Sequence, residues 1–486
     1  MSNVKQLPVL QEDARARAQR GPELKHPPKE GSLGRDGKRK KPYPADVKGK
    51  WQTLRRITYA ALIGIWASLP WIKVGGRPAV FLDVDHRLFY LFGNTFNAQD
   101  IWLIFFGLTG LGFALLYSTA LLGRVWCGWA CPQTVFLESL FRPIERIING
   151  PRNVAMKRHD APMSFDKAWR LGATHTMYFV AALFTAHVFL AYFVSIPKVF
   201  EFVKGSPGAH PEAFAWMVGV TALFYVNFGI FREQFCVVMC PYGRLQSVLL
   251  DDDSLVVGYD EKRGEPRGKG KKKEGEADTT RGDCVDCNRC VVVCPTNIDI
   301  REGLQLDCIA CTACIDACDE VMDKLERPRG LIRYDSLNGL RGEKRRILRP
   351  RIYVYTALGI VGAIVATTAA HKREPFEANI LRLKGMPYTR EGATIRNAFE
   401  LHLVNKDADP TTFDIEPVPV PDMTFIVPMQ NVTIEGLGNR RIPVFVTMDQ
   451  AKFTSDVPIV VKVRGHEKNG TVVEHEAKAK FLGARQ

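Results

Sequence analysis

Twelve cysteines carry most of the chemistry that this 486-residue sequence offers. Eight of them form two runs, Cys284-x2-Cys287-x2-Cys290-x3-Cys294-Pro295 and Cys308-x2-Cys311-x2-Cys314-x3-Cys318. This is the spacing of bacterial two-cluster ferredoxins, where three thiolates of a run hold one 4Fe–4S cluster and the fourth ligates the other. The expected assignment is Cys284, Cys287, Cys290 and Cys318 on one cluster, and Cys294, Cys308, Cys311 and Cys314 on the other. Paired C-x2-C motifs also bind zinc, but eight cysteines in the duplicated order favour two cubanes. Asp319 stands where the second run would usually carry proline, a change that removes no ligand. Cysteines packed at ligand spacing, rather than spread as a disulfide framework, point to a reducing compartment.

The other four cysteines form two pairs with a shared context. Trp126-Cys127-Gly128-Trp129-Ala130-Cys131-Pro132 and Phe235-Cys236-Val237-Val238-Met239-Cys240-Pro241 are both C-x3-C-P, both follow an apolar stretch and both precede an amphipathic one. Residues four apart on a helix share a face, so a duplicated unit of this kind brings four thiols to one site. Soft thiolates suit Cu(I), zinc or an iron–sulfur cluster, and dithiols also cycle with disulfides. Small buried cysteines in membrane helices are the plain alternative; the repeat of spacing, proline and context favours a metal or redox role, with copper as the expected ion. Met239 is a soft thioether beside Cys240 that points partly away on a helix.

Histidines add less. His175 and His187 lie in one apolar stretch, twelve residues or about 18 Å apart along a helix. Haem ligation would need partners on other segments, and no second histidine pair is evident. His371, His402, His466 and His475 are expected at the surface of a C-terminal domain.

Five apolar segments reach the roughly 20 residues that span a bilayer: 57–74, 101–122, 171–196, 213–231 and 353–370. Lysine and arginine gather before the first, after the second (Arg142, Arg146, Arg152, Lys157, Arg158) and between the fourth and fifth (Lys271-Lys272-Lys273, Arg341, Lys344, Arg345, Arg346). By the positive-inside rule those parts face the cytoplasm. Five crossings then place the residues from 371 onward in the periplasm of a Gram-negative-type cell. The net charge of +14 fits such loops and calls for no nucleic acid.

The expected organisation is a basic disordered arm over 1–50, a four-span core over 51–250 and a charged linker over 251–283. A ferredoxin domain follows over 284–325, then a basic linker over 326–350, the fifth span over 351–370 and an outer domain over 371–486. In that outer domain Phe399, Leu401 and Leu403 alternate with polar residues, as do Ile442, Val444, Val446 and Met448, then Ile459, Val461 and Val463. Period two between proline and glycine turns predicts a small immunoglobulin-like β-sandwich. The fold class expected is a multidomain membrane protein with about five transmembrane helices, an inserted two-cluster ferredoxin-like α+β domain and this sandwich.

Five spans, two C-x3-C-P motifs, the cluster insert and the outer sandwich together resemble the FixG/RdxA/CcoG family of cytochrome c oxidase accessory proteins. The resemblance covers nearly all of the chain after residue 50. It implies a cytoplasmic electron donor, copper-handling proteins and cbb-type oxidase subunits as partners, and reduction of Cu(II) to Cu(I) during oxidase maturation. The membrane core also resembles NapH-type quinol-oxidising proteins, which implies an electron conduit instead. A non-enzymatic copper chaperone or assembly scaffold is the third reading. The outer domain speaks against the conduit, and the duplicated clusters speak against the pure chaperone.

Overall fold

The structure is a computed structural model that describes residues 41–97, 100–268, 281–407, 409–466 and 471–483. The arm before Lys41 and the lysine-rich stretch 269–280 lie outside the described residues. The chain divides into two compact units, the first comprising the residues up to Ser68, Gly110–Ala191 and Pro197–Ile360, the second Leu69–Thr109, Tyr192–Ile196 and Val361 onward.

Long helices form where apolar residues run without an interior break, since a backbone in hydrocarbon must satisfy its own hydrogen bonds. They are α1 (Lys50–Ser68), α2 (Ile101–Leu122), α3 (Phe165–Leu190), α4 (Pro211–Phe224) with a π-helical continuation to Phe231, and later α6 (Pro350–His371). Four of them, α2, α3, continued α4 and α6, are long and apolar enough to cross a membrane. Their outward faces are apolar: Phe105, Leu108 and Leu111 on α2, Trp216 and Leu223 on α4, and Val361 and Ile364 on α6 are exposed. The segment expected to span at 57–74 behaves differently. Its helix starts earlier, carries Lys50, Arg55 and Arg56 in its first turns, and stops at Ser68 ahead of Pro70, while Lys73–Val74 is a short strand. The segment expected at 171–196 ends at Leu190, and Ile196–Lys204 is a separate helix.

The cysteine-rich domain is wider than 284–325. Strand Val256–Tyr259 pairs antiparallel with Ile332–Asp335, Val256 opposite Asp335 and Tyr259 opposite Ile332. These strands bracket both cysteine runs, so parts of the expected linkers at 251–283 and 326–350 belong to the fold. Between them lies α5 (Ala313–Lys324). Val257, Ile300, Ile315, Met322, Leu331 and Ile332 form its core. The arm expected to be disordered to residue 50 is packed from Lys41 onward: Val47 is buried, and the Ala45 N–H donates to the Val292 carbonyl at 3.0 Å.

In the second unit the period-two segments form a sandwich. Its strands are β1 (Phe376–Arg382), β2 (Thr389–Glu391), β3 (Thr394–Asn405), β4 (Thr411–Pro417), β5 (Met423–Ile426), β6 (Asn431–Ile434), β7 (Asn439–Asp449), β8 (Val457–His466) and β9 (Val472–Phe481). One sheet runs β5-β7-β3-β1 with β2 also on β3, and the other runs β6-β4-β8-β9. The alternating residues Phe399, Leu401, Leu403, Ile442, Val444, Val446, Ile459, Val461 and Val463 all point into the core.

Candidate iron–sulfur and thiol site

Each cysteine run is a loop that turns twice through left-handed backbone before entering a helix. Asp286 and Asn288 (φ +51° and +56°) occupy the first loop, and Ala310 and Thr312 (φ +52° and +63°) stand at the same two places in the second. Left-handed backbone is costly for a residue with a Cβ, and its repetition marks the loops as built to converge their thiols. Helix Arg289–Val292 follows the first loop and α5 the second.

The eight thiols line two cavities. One cavity is lined by Cys284, Cys287, Cys290 and Cys318, with Tyr259, Arg301 and Met322 around them. A second is lined by Cys294, Cys308, Cys311 and Cys314, with Thr296, Ile298 and Thr312, and Cys290 lies at the border of both. Burial pushes the thiols of Cys290 and Cys318 up to about 12 and that of Cys311 up to about 11. Thiolates in such surroundings need a cationic partner, which the iron of a cluster supplies. Backbone N–H groups of Ala310 and Ala313 already donate to Cys308 and Cys311. Among the described residues no three His, Cys, Asp or Glu side chains converge as they would around a single metal ion. A cubane, whose ligands stand at separate corners, fits these two cavities. Asp319, in place of the second proline, accepts the Gly330 N–H at 3.0 Å and so closes the turn that follows.

The two C-x3-C-P motifs repeat each other in backbone as well as spacing. Cys127 sits in a helical turn, Val125–Trp129, and Cys236 in the π-helical turn Phe235–Met239. Cys131 (φ −63°, ψ 125°) and Cys240 (φ −70°, ψ 111°) are extended N-caps of the helices that start at Pro132 and Pro241. The pairs therefore do not lie four apart on one continuous helix, as the spacing alone predicts. Proline drives the residue before it out of helical backbone, and the chain bends between the two thiols of each pair. Cys236 still interacts electrostatically with Cys127, Cys131 and Cys240, though among the described residues no three of these thiols converge as they would around one metal ion. The Cys127 S–H donates to Gln246 Oε1 at 3.2 Å. Burial pushes the Cys127 thiol up to about 12 and raises those of Cys131 and Cys236.

Buried ion pairs hold the two repeats together. Glu138, Arg142 and Glu145 follow the first motif, and Arg232 and Glu233 precede the second. Arg142 pairs with Glu138 at 2.8 Å and with Glu233, and Arg232 pairs with Glu145 at 2.9 Å. Lys41, from the N-terminal arm, reaches Glu145 at 2.6 Å.

The first thiol turn is seated on the second cysteine loop. A Cβ at Gly128 would lie 2.6 Å from the carbonyl oxygens of both Ile309 and Ala310, so only glycine fits there. Trp129 Nε1–H donates to the Tyr334 hydroxyl at 3.0 Å, which donates to the Ala310 carbonyl at 2.8 Å. Arg55 and Tyr59 both donate to the Gly128 carbonyl, at 3.0 and 2.5 Å. One turn earlier on α1, Gln52 donates to the Cys311 carbonyl at 2.9 Å. Arg124 donates to the carbonyls of Cys308, at 3.1 Å, and Leu306. The cavity of Cys294, Cys308, Cys311 and Cys314 is thus the inner site, beside the thiol turn. The other is the outer site, and its Cys287 is exposed.

Comparison with known proteins finds iron–sulfur domains along the same stretches of chain. A family model described as a 4Fe–4S dicluster domain matches residues 231–337, and one described as a 4Fe–4S binding domain matches 103–151 and 209–251. A third, for the immunoglobulin-like fold at the C-terminus of FixG, matches 366–484. The nitrogen fixation protein FixG of Rhizobium meliloti is 34% identical over 462 residues, which cover 86% of this chain and 88% of FixG. Protein RdxB of Cereibacter sphaeroides is 35% identical, over 78% of this chain and 82% of RdxB. This chain belongs to the FixG/RdxA family. It is an iron–sulfur electron-transfer protein with membrane helices. RdxA of Cereibacter sphaeroides is 34% identical over 76% of this chain and 81% of its own length. Among solved structures, a FixG-related protein from Vibrio parahaemolyticus aligns over 23% of this chain and 97% of its own, at 16% identity and a TM-score of 0.19.

The remaining candidates of this FixG/RdxA chain lie elsewhere. His175 Nδ1 is 2.8 Å from the Tyr225 hydroxyl, and His187 Nδ1 is 2.8 Å from the Leu183 carbonyl one turn earlier. His466 pairs with Asp414, His475 with Glu374, and His402 lies beside Asn439. Sequence reasoning missed Gln52, Arg55, Arg124, Gly128 and Tyr334. Arg55 had a readable signal, as a cation placed where an apolar run begins.

Proposed function

We propose that this chain is a membrane-bound cupric reductase that delivers single electrons to Cu(II) at Cys127, Cys131, Cys236 and Cys240 and so supports assembly of a cbb-type cytochrome c oxidase. The observation that carries this reading is the seating of the Cys127 turn on the Cys308–Thr312 loop through Gly128, Trp129 and Arg55. Bound at the two cavities, 4Fe–4S clusters supply one-electron carriage. Each turnover takes one electron from a cytoplasmic donor and converts one Cu(II) to Cu(I). Thiolates favour Cu(I), so the four thiols hold the product better than the substrate, and Gln246 orients the first of them.

The orientation belongs to the same proposal. Segments that loop charge assigns to the cytoplasm, 41–56, 123–164 and 232–349, fall in the first unit, while 69–100, 192–196 and the sandwich fall in the second; 197–210, an outer loop by charge, falls in the first. This grouping supports a fifth crossing by α1, a cytoplasmic cluster domain and a periplasmic sandwich that meets copper-handling proteins and oxidase subunits. The test is anaerobic titration of reduced, purified protein with Cu(II), following cluster oxidation by absorbance. The parent oxidises in proportion to added copper. A variant with all four membrane cysteines changed to serine keeps its iron and loses the response; equal rates in both would refute copper reduction at these thiols.

A second reading has its own support. The 4Fe–4S binding description spans all four membrane cysteines, which favours a third cluster there and an electron conduit to another acceptor. Iron analysis separates the two: about eight iron atoms per chain fit two cubanes and about twelve fit three.

A further inference from the structure

The two cysteine sites share a backbone but not an electrostatic setting. The outer site has one buried cation, Arg301, and it is fully engaged by carboxylates. Arg301 bonds Asp299 at 2.8 and 2.6 Å and Asp286 at 2.7 Å, with Asn288 as a further acceptor. Asp319 adds a third negative charge acting on Cys318. Arg289, which also lines this cavity, pairs with Glu320 at 3.7 Å, so both cations at the outer site have acidic partners.

The inner site has two buried cations. Arg55 is 4% exposed and Arg124 7%. All the hydrogen-bond acceptors of Arg55 are neutral: the Tyr59 hydroxyl, the Gly128 carbonyl and the Gln52 side-chain oxygen. Those of Arg124 are the carbonyls of Leu306, Cys308 and Gly243. Among the described residues neither forms an ion pair; Glu138 acts on Arg55 and Asp307 on Arg124 from beyond ion-pair distance, and the same carboxylates oppose them at Cys311 and Cys308. Arg55 in turn acts on Cys311, and Arg124 on Cys308. Both arginines also grip the thiol turn or its approach.

We infer that Arg55 and Arg124 are positioning residues that raise the reduction potential of the inner site above that of the outer site, so that in half-reduced protein the electron rests beside the Cys127 turn. The inference rests on the reading of two 4Fe–4S clusters. Adding an electron makes a cluster more negative, and a fixed cation nearby favours that state. At an effective dielectric constant of about 20, a unit charge roughly 10 Å away changes such an equilibrium about tenfold. Glu138 and Asp307 offset part of this effect, so two cations without ion-pair partners at one site, against cations paired with carboxylates at the other, separate the two reduction constants by about tenfold. At 59 mV per tenfold for one electron, that is about 59 mV. Electrons supplied to the exposed edge at Cys287 by a one-electron donor then move downhill to the inner site.

The experiment is a redox titration of anaerobic, detergent-purified full-length protein, followed by electron paramagnetic resonance, with iron and sulfide measured on every sample. The Cys287→Ser variant, stripped of its intact outer cluster, identifies the inner signal. In the parent the inner signal appears at the higher potential. Arg55→Gln and Arg124→Gln each lower the inner reduction constant about tenfold and leave the outer one within threefold, whereas Arg55→Lys and Tyr59→Phe keep it near the parent value. An inner potential at or below the outer one, or arginine variants with full iron content and no selective shift, would overturn the inference. Parent protein without about eight iron and eight sulfide overturns the cluster reading instead.

Discussion

Replacing Gly128 by alanine tests whether the thiol turn and the cysteine loop form one rigid joint. The added methyl would sit 2.6 Å from the Ile309 and Ala310 carbonyl oxygens and 2.9 Å from the Ala310 carbonyl carbon. Ordinary contact begins near 3.4 Å, so one backbone must yield by about 0.8 Å, the difference between those two distances. Neither side yields easily. The Gly128 carbonyl is bonded by Arg55 and Tyr59, and Ala310 is held in left-handed backbone with its carbonyl bonded by Tyr334. Overpacking of this kind costs about 1–3 kcal/mol, which in a unit of a few hundred residues lowers the unfolding midpoint by about 2–5 °C. Thermal unfolding of anaerobic protein in detergent reads the stability, and stopped-flow mixing with Cu(II) reads the joint, with the rate falling while iron content is kept. Gly64→Ala on α1 is the control, since a Cβ there meets nothing within 4 Å and alanine favours the helix by about 0.5–1 kcal/mol. If Gly128→Ala matched the control in both midpoint and copper rate, the two motifs would not be tightly docked, and the argument for direct delivery would fall.

Further outcomes are as specific. Cys287→Ser, at the exposed corner of the outer site, removes or converts one cluster and leaves the other, halving the iron from about eight atoms towards four; loss of all iron would show that the sites do not form separately. Although burial raises the Glu145 carboxyl, Arg232 and Lys41 hold it down to about 2. Its folded value lies below its ordinary one near 4.5, so its stabilisation is complete above pH 4.5 and is lost as pH falls towards 2. Unfolding midpoints of parent and Glu145→Gln should converge across that window, and parallel curves would refute the assignment. Reporter fusions after Pro151 and Gly339 should read cytoplasmic and one after Asp409 periplasmic; a cytoplasmic signal at Asp409 would remove one crossing.

The cysteine-rich loops were legible because ligand spacing is a local property, and the sandwich because period two is local too. What escaped reading was non-local. Strand Val256–Tyr259 finds its partner more than seventy residues on, beyond both cysteine runs, so the expected domain edge at 284 cut it away. The arm from Lys41 reads as polar and basic, yet its side chains and backbone satisfy Glu145, Arg146 and Val292. The bend at Cys131 and Cys240 was in plain sight as proline, but helical spacing was applied across it. Arg55 lies just ahead of the segment expected to span at 57–74, and only the folded chain reveals that three carbonyl and hydroxyl groups converge on it.

The start of α1 carries a consequence for the order in which the protein is made. Its first N–H groups, those of Trp51 and Gln52, donate to the Asp316 carboxylate at 3.2 and 2.7 Å, across 265 and 264 residues of chain. A helix start left without acceptors is incomplete, and here the acceptor has yet to be translated when α1 leaves the ribosome. At about 5–20 residues per second, α1 waits about 13–53 s for Asp316, and Arg55 waits nearly as long for the loop beneath it. The first long helix to be made is therefore among the last to be finished, and its closure reports that the cysteine domain has folded. A nascent chain stalled before Asp316 should expose Trp51 and Arg55 to protease or label, and release past α5 should protect them.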